Sequence, residues 1–245
     1  MTDDPLSGLM SLEGVPSAFA AVRDGIDAML RDRGLRRTPP ETTADSLLRG
    51  AHASAVLEGS RCSLAEVRDG HGDEVAQASL RVSTELLGQA QVLGRSPGQA
   101  LARIHALAAT GSLPSDELGR PRDPAAADRL TRVGRLLTAP TSAPALVVAA
   151  MVHGELAVAA PFASHNGIVA RAAERLVFVA RGVDEKSLMV PEAGHLALRP
   201  AYESNLRGYR EGGRAGVHAW LLYAAEAYAA GAEASPLRDH ASEDG

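Results

Sequence analysis

The chain of 245 residues contains one cysteine, Cys62, one lysine, Lys186, and only 3% aromatic residues. A single cysteine permits neither an intramolecular disulfide nor a cysteine metal cluster. No His or Asp stands at a diagnostic spacing from Cys62, so it reads as an unreactive thiol. Scarce aromatic and β-branched material deprives strands of the residues they favour, while alanine and leucine supply good helix formers. An excess of cations is also missing. The formal net charge is −5, which gives no basis for binding a polyanion such as nucleic acid. The one basic run, Arg31, Arg33, Arg36 and Arg37, reads as a solvated helix end. No apolar stretch reaches the roughly 18 residues that span a bilayer, and residues 1–12 lack the basic start of a signal peptide. A cytoplasmic protein without membrane contact is the expectation. Neither a GxGxxG fingerprint, a P-loop nor a GxSxG elbow is present, which argues against a dehydrogenase, a Walker-type ATPase or a serine hydrolase of that kind.

With 45% hydrophobic residues the chain can bury a substantial core, and the pattern predicts an all-α domain. Residues 1–16, broken by Gly8, Gly14 and Pro16, are expected to form a flexible arm, residues 17–232 the helical domain and residues 233–245 a flexible tail. Phe19, Val22, Ile26, Met29 and Leu30 recur at helical spacing up to Gly34. A second helix is expected from a cap at Thr43-Ala44-Asp45 to Gly59, and a short one from the capping box Ser63-Leu64-Ala65-Glu66. Further helices are predicted over residues 73–92, from Ser96-Pro97 to Thr110, around residues 130–137, and over 202–209 and 217–232. Residues 112–127 read as a loop or short hairpin. The run from Ala145 to Ala160 is apolar all round and so reads as a helix buried at the centre. A loop then leads into a second central helix that starts at Asn166 and is closed by Gly182.

That helix start carries the candidate site. The amides of Asn166 and Gly167 are left unpaired at a helix N-terminus, where the dipole favours negative charge; Asn166 acting as a simple cap is the competing reading. Arg171 follows about a turn later; a structural ion pair with Glu58, tying two helices, is one reading of it. His165 is the one residue beside the loop able to shuttle protons near neutral pH. His153 reads as a hydrogen-bonded core histidine, and His52, His71, His105, His195 and His218 do not fall at metal-ligand spacing, so no metal site is expected.

Several stretches resemble motifs of the Fic (Fido-domain) family in the same order. Residues Ala160-Pro161-Phe162-Ala163-Ser164-His165-Asn166-Gly167-Ile168-Val169-Ala170-Arg171 resemble its active-site motif HPFx(D/E)GNGRxxR. Ser54 to Gly59 resembles its inhibitory motif (S/T)xxxE(G/N), with Ser63-Leu64-Ala65-Glu66-Val67 as continuation. Ile104-His105 and Gly119-Arg120-Pro121-Arg122 resemble the flap region, Ala150 and His153 the helix before the loop, and Tyr202, Leu206 and Trp220 to Leu222 the C-terminal helices. Coverage is roughly residues 45–230.

The resemblance implies a Fic-like helical domain with a flap loop or hairpin. In that family the motif histidine is the general base of AMP transfer, the acidic residue holds magnesium, the glycine-rich turn cradles phosphates and the two arginines grip the phosphate tail. Here Ala160 stands at the base position, Ser164 at the acidic one and Ile168 at the first arginine. Alanine cannot take a proton, serine is no substitute for a carboxylate on Mg²⁺, and isoleucine cannot hold phosphate. The implied protein is a degenerate relative lacking classical AMPylation, an interaction or regulatory protein retaining an anion or nucleotide site at Asn166, Gly167 and Arg171, with Glu58 and Ser54 as regulatory residues. ATP or another phosphate-bearing nucleotide is the implied ligand, a protein the implied partner and a homodimer the expected assembly. The alternative is an active nucleotidyl- or phospho-transferase that modifies protein hydroxyls, with His165 as substitute base.

Overall fold

Every residue from Leu146 to Gly154 is buried. Small and β-branched side chains on all sides of this helix, α8 (Ala145–Ala159), let neighbours close around it. A computed structural model describes residues 4–32 and 38–239 of the chain. Among these, the regular structure is helical, with one isolated bridge between Thr110 and Leu113 where a hairpin was one expectation. The order is α1 (Val15–Asp32), α2 (Pro40–Leu57), α3 (Leu64–Arg68), α4 (Glu74–Glu85), α5 (Ala90–Arg95), α6 (Pro97–Ala109) and α7 (Pro124–Thr138), then α8. After it come α9 (Asn166–Ala180), α10 (Pro191–Ala197), α11 (Arg199–Glu211), α12 (Gly213–Glu233) and α13 (Pro236–Asp239).

Helices α8 and α9 lie against each other at the centre, with α7, α11 and α12 also on α8, and α2, α4, α5 and α6 on α9. Trp220 of α12 donates its indole N–H to the Ala150 carbonyl at 2.8 Å, fixing α12 to α8. Ser63 begins α3 in the expected capping box with Glu66.

Several boundaries differ from the sequence reading, each for a local reason. Residues 4–14, expected as a flexible arm, pack onto the domain: Leu6 and Leu12 are buried, and the Asp4 carboxylate accepts from Leu6 N, Thr141 Oγ1 and Ser142 N. Helix α2 begins at Pro40, since proline at a first helical position lacks only an N–H that would be orphaned anyway. Thr43 instead donates to the Lys186 carbonyl. The helix expected over residues 73–92 breaks after Glu85 into a 3-10 turn, Leu87–Gln89, around Gly88. Helix α7 starts at Pro124 under an Asp123 cap, which shortens the expected loop. Helix α10, with Pro191 at its start, was not anticipated. Within the expected tail, Leu237 is buried in α13. Arg33, Arg36, Arg37 and the helix end at Gly34 lie outside the described residues. No helix among the described residues is long and apolar enough to cross a membrane.

Candidate anion site at the α8–α9 turn

The loop between α8 and α9 is bracketed by two non-glycine residues in the left-handed region, Ala160 (φ 41°) and His165 (φ 56°). Each costs about 1–2 kcal/mol, so the surroundings must hold the turn in place. Asn166 does much of this. Its side-chain oxygen accepts from Phe162 N–H and its amide nitrogen donates to Phe162 O, both at 2.9 Å. Its side chain makes neither the cap bond nor an outward contact; it clasps the loop it follows. The Phe162 ring is buried and stacks on His105 with centroids 4.2 Å apart. His105 Nδ1 in turn accepts from Gly119 N–H, and Arg122 N–H donates to Pro161 O, so residues 119–122 are tied to the loop. Burial pushes the His105 imidazole down to about 4.

Val169 N–H bonds to His165 O, so the amides of residues 166–168 form the unpaired first turn of α9. Over that turn lies a carboxylate of the chain itself. A Cβ on Gly167 would collide with Glu58 Oε1, so only glycine admits this approach. Glu58 Oε1 also accepts from Arg171 Nη2 at 2.8 Å. Arg171 is buried while the Glu58 side chain is 32% exposed. The guanidinium is held from behind: Nε donates to Ser54 Oγ at 3.0 Å, Nη2 to Ser54 O at 3.2 Å and Nη1 to Tyr202 Oη at 3.3 Å. Burial opposes its charge, but Tyr202 and Glu58 outweigh that and raise its pKa. Thus Glu58, Ser54, Gly167 and Arg171, read from two separate stretches of sequence, come together.

No family model matches the sequence, and no curated protein sequence does either. Solved structures match closely. A Fic family protein from Desulfovibrio desulfuricans superposes with a TM-score of 0.74 at 18% identity, covering 95% of this chain and 76% of that one. Fic-1 from C. elegans gives 0.71 at 16% identity, with 94% and 74% covered. A single-substitution form of it gives 0.62 at 15% identity, with 93% and 72% covered.

The fold is the Fic fold.

On this fold the remaining loop positions carry little polar chemistry. Ala160 offers no proton acceptor beyond its backbone. Ile168 points into the core at 2% exposure. The Ser164 hydroxyl and His165 Nδ1 lie 2.7 Å apart, each using the other as partner. Burial lowers the pKa of His165, with Glu58 opposing in part. Beside the loop, a cleft of about 410 Å³ runs between Ala163 and the residues Asp116, Glu117, Arg120, Pro121 and Arg122.

Sequence reasoning missed a second polar constellation one turn beyond Arg171. The Glu174 carboxylate is fully buried and pairs through Oε1 with His153 Nδ1 and through Oε2 with His195 Nε2, each at 2.9 Å. Tyr228 donates to Oε1 at 2.7 Å. The outer ring nitrogens meet Tyr202 Oη (His153, 3.0 Å) and Tyr223 Oη (His195, 2.7 Å). Burial alone would raise the Glu174 carboxyl, yet its two histidine partners hold it well below the usual carboxylate range. Burial also lowers the pKa of His153, favouring its neutral form, with Glu174 opposing in part. Two His and one Glu within 4.8 Å are a ligand set that a divalent cation could use. The histidines are far apart in sequence, so no spacing motif announced them. The signal available was a carboxylate, Glu174, set among apolar residues of a central helix and close to Arg171 and Arg175.

Proposed function

We propose that this protein is a non-catalytic member of the Fic-fold group that retains an anion site at Gly167 and Arg171, takes a phosphate-bearing nucleotide such as ATP there, and uses occupancy to regulate binding to a protein partner. The observation that carries the reading is the Glu58 carboxylate, which lies against Gly167 and pairs with Arg171. This end of α9 already holds an anion, and that anion belongs to the chain. A phosphate drawn to the free amides of that turn would compete for the same guanidinium and the same space beside Gly167. The absence of a base at Ala160, worth roughly 10²- to 10⁴-fold in rate, and the burial of Ile168 support binding without transfer.

Calorimetric titration with ATP, with and without Mg²⁺, tests the reading in the wild-type chain and in Glu58→Gly. Saturable binding is expected, tighter in the variant and insensitive to Mg²⁺, together with no labelled AMP on any protein of a lysate. Transfer of label by the wild-type chain would replace this reading with that of a transferase using His165. No binding to either protein would remove the anion site altogether.

A further inference from the structure

Arg171 and Glu174, both fully buried on α9, are joined by a chain of hydrogen bonds whose direction is fixed. Arginine only donates and a carboxylate only accepts. Arg171 Nη1 donates to Tyr202 Oη, so the single phenol proton of Tyr202 is free to go to its other neighbour, His153 Nε2. A neutral His153 that accepts at Nε2 must carry its proton at Nδ1, and Nδ1 faces Glu174 Oε1. On the far side, the carboxylate can only accept, so His195 presents Nε2–H to Glu174 Oε2, and the Nδ1 of a neutral His195 is left to accept from the Tyr223 hydroxyl. Glu174 then accepts from His153, His195 and Tyr228, and each donor and acceptor in the chain is matched. A protonated Nδ1 has no lone pair for a cation, so the His153–Glu174–His195 trio in this arrangement is filled by protons.

The open end of the chain is at the anion site. Nη1 of Arg171 stands 3.2 Å from where a Cβ of Gly167 would be. One Nη1 hydrogen is committed to Tyr202, and the planar guanidinium then directs the other away from it. Nε and Nη2 are occupied by Ser54 and Glu58.

We propose that Tyr202 is a positioning residue for the anion site: held as an acceptor by the one-way chain through His153 to Glu174, it orients the Arg171 guanidinium so that a phosphate bound over Gly167 is met by Nη1 and, once Glu58 withdraws, by Nη2. This rests on the anion reading given under Proposed function. Occupancy of the site and the proton positions of the buried cluster are coupled, because a phosphate that pulls on Nη1 also weakens its bond to Tyr202.

Nitrogen-15 NMR of protein labelled at histidine and glycine, titrated with inorganic phosphate, tests the chain. The wild-type protein and Glu58→Ala should both show His153 protonated at Nδ1, with its resonances moving as phosphate saturates the Gly167 amide. Tyr202→Phe should weaken phosphate binding about tenfold, the size expected for a lost hydrogen bond to a charged group, and should release the His153 tautomer. If phosphate moves Gly167 in every protein but Tyr202→Phe binds it equally well, the positioning role is wrong while the anion site stands. If phosphate moves nothing in either wild type or Glu58→Ala, the anion reading itself falls and takes this one with it. Should Tyr202→Phe not fold, the wild-type tautomer decides: a proton at His153 Nε2, or a stoichiometric metal ion in the purified protein, overturns the proposal.

Discussion

Helix α9 serves two polar constellations within two turns, and they differ in how their groups are satisfied. At its N-terminus the loop is strained at Ala160 and His165, and a partly exposed carboxylate, Glu58, lies beside Gly167 and pairs with Arg171. One turn beyond Arg171, Glu174 is shut away with three donors and no exposure. Water can replace a missing partner at the first and cannot at the second. A partly exposed carboxylate is easily exchanged for a ligand, whereas a fully buried network tolerates no vacancy. The first arrangement suits a site that opens, the second a scaffold that does not.

The sharpest test of this contrast is Glu174→Leu. It leaves His153 Nδ1, His195 Nε2 and the Tyr228 hydroxyl without acceptors in a dry interior, and should cost about 3–5 kcal/mol by urea unfolding. A loss under about 1 kcal/mol, the range of exposed pairs, would mean that solvent reaches the cluster and that the two regions are alike.

A smaller asymmetry is expected across the Glu58–Arg171 pair. Arg171→Ala strands Ser54 Oγ, the Ser54 carbonyl and Tyr202, and should cost about 1–3 kcal/mol. Glu58→Ala should cost less than Arg171→Ala, because the carboxylate is a third exposed and water can replace it, while the guanidinium keeps its acceptors at Ser54 and Tyr202. Equal losses from the two variants, measured by denaturant midpoint, would make the pair a structural bridge and not a gate.

How far this contrast could be read in advance depended on the range of the interactions. Helix α8 was legible because its apolar residues wrap every side, and α3 because Ser63 and Glu66 form a local box. That Gly167, Arg171 and Glu58 belong together was legible through motif order, although the clasp by Asn166 was not: a loop-closing amide and a helix cap look identical in sequence. Packing of the N-terminal arm was hidden because Gly8 and Gly14 read as breaks, while Leu6, Leu9 and Leu12, three apart, carried the opposite signal. The Glu174 cluster draws on α8, α9, α10, α11 and α12, so each member alone resembles an ordinary polar residue.

Acid should separate the two regions through their histidines. Burial lowers the pKa of His105 to about 4 and that of His153 as well, while the unfolded value is 6.5. Between those limits the unfolded chain binds more protons, so stability is full above pH 6.5 and falls as pH drops toward about 4. His105→Asn, which keeps an acceptor for Gly119 N–H, should flatten part of that slope in a pH series of denaturant melts. An unchanged slope would assign it to His153 and the buried cluster.

The least change is expected from His165→Gly. At φ 56° the histidine costs about 1–2 kcal/mol that glycine would not, against which glycine gives back about 0.5–1 kcal/mol through the freer unfolded chain. The bond to Ser164 is also lost, but that hydroxyl is only half-buried and water can replace the ring. A net gain near 0.5 kcal/mol follows, read as a small rise in the unfolding midpoint, with phosphate gaining easier approach to the α9 amides. A fall in stability would show that the imidazole is packed into the loop more firmly than its backbone strain opposes, placing the turn with the scaffold and not with the part that opens.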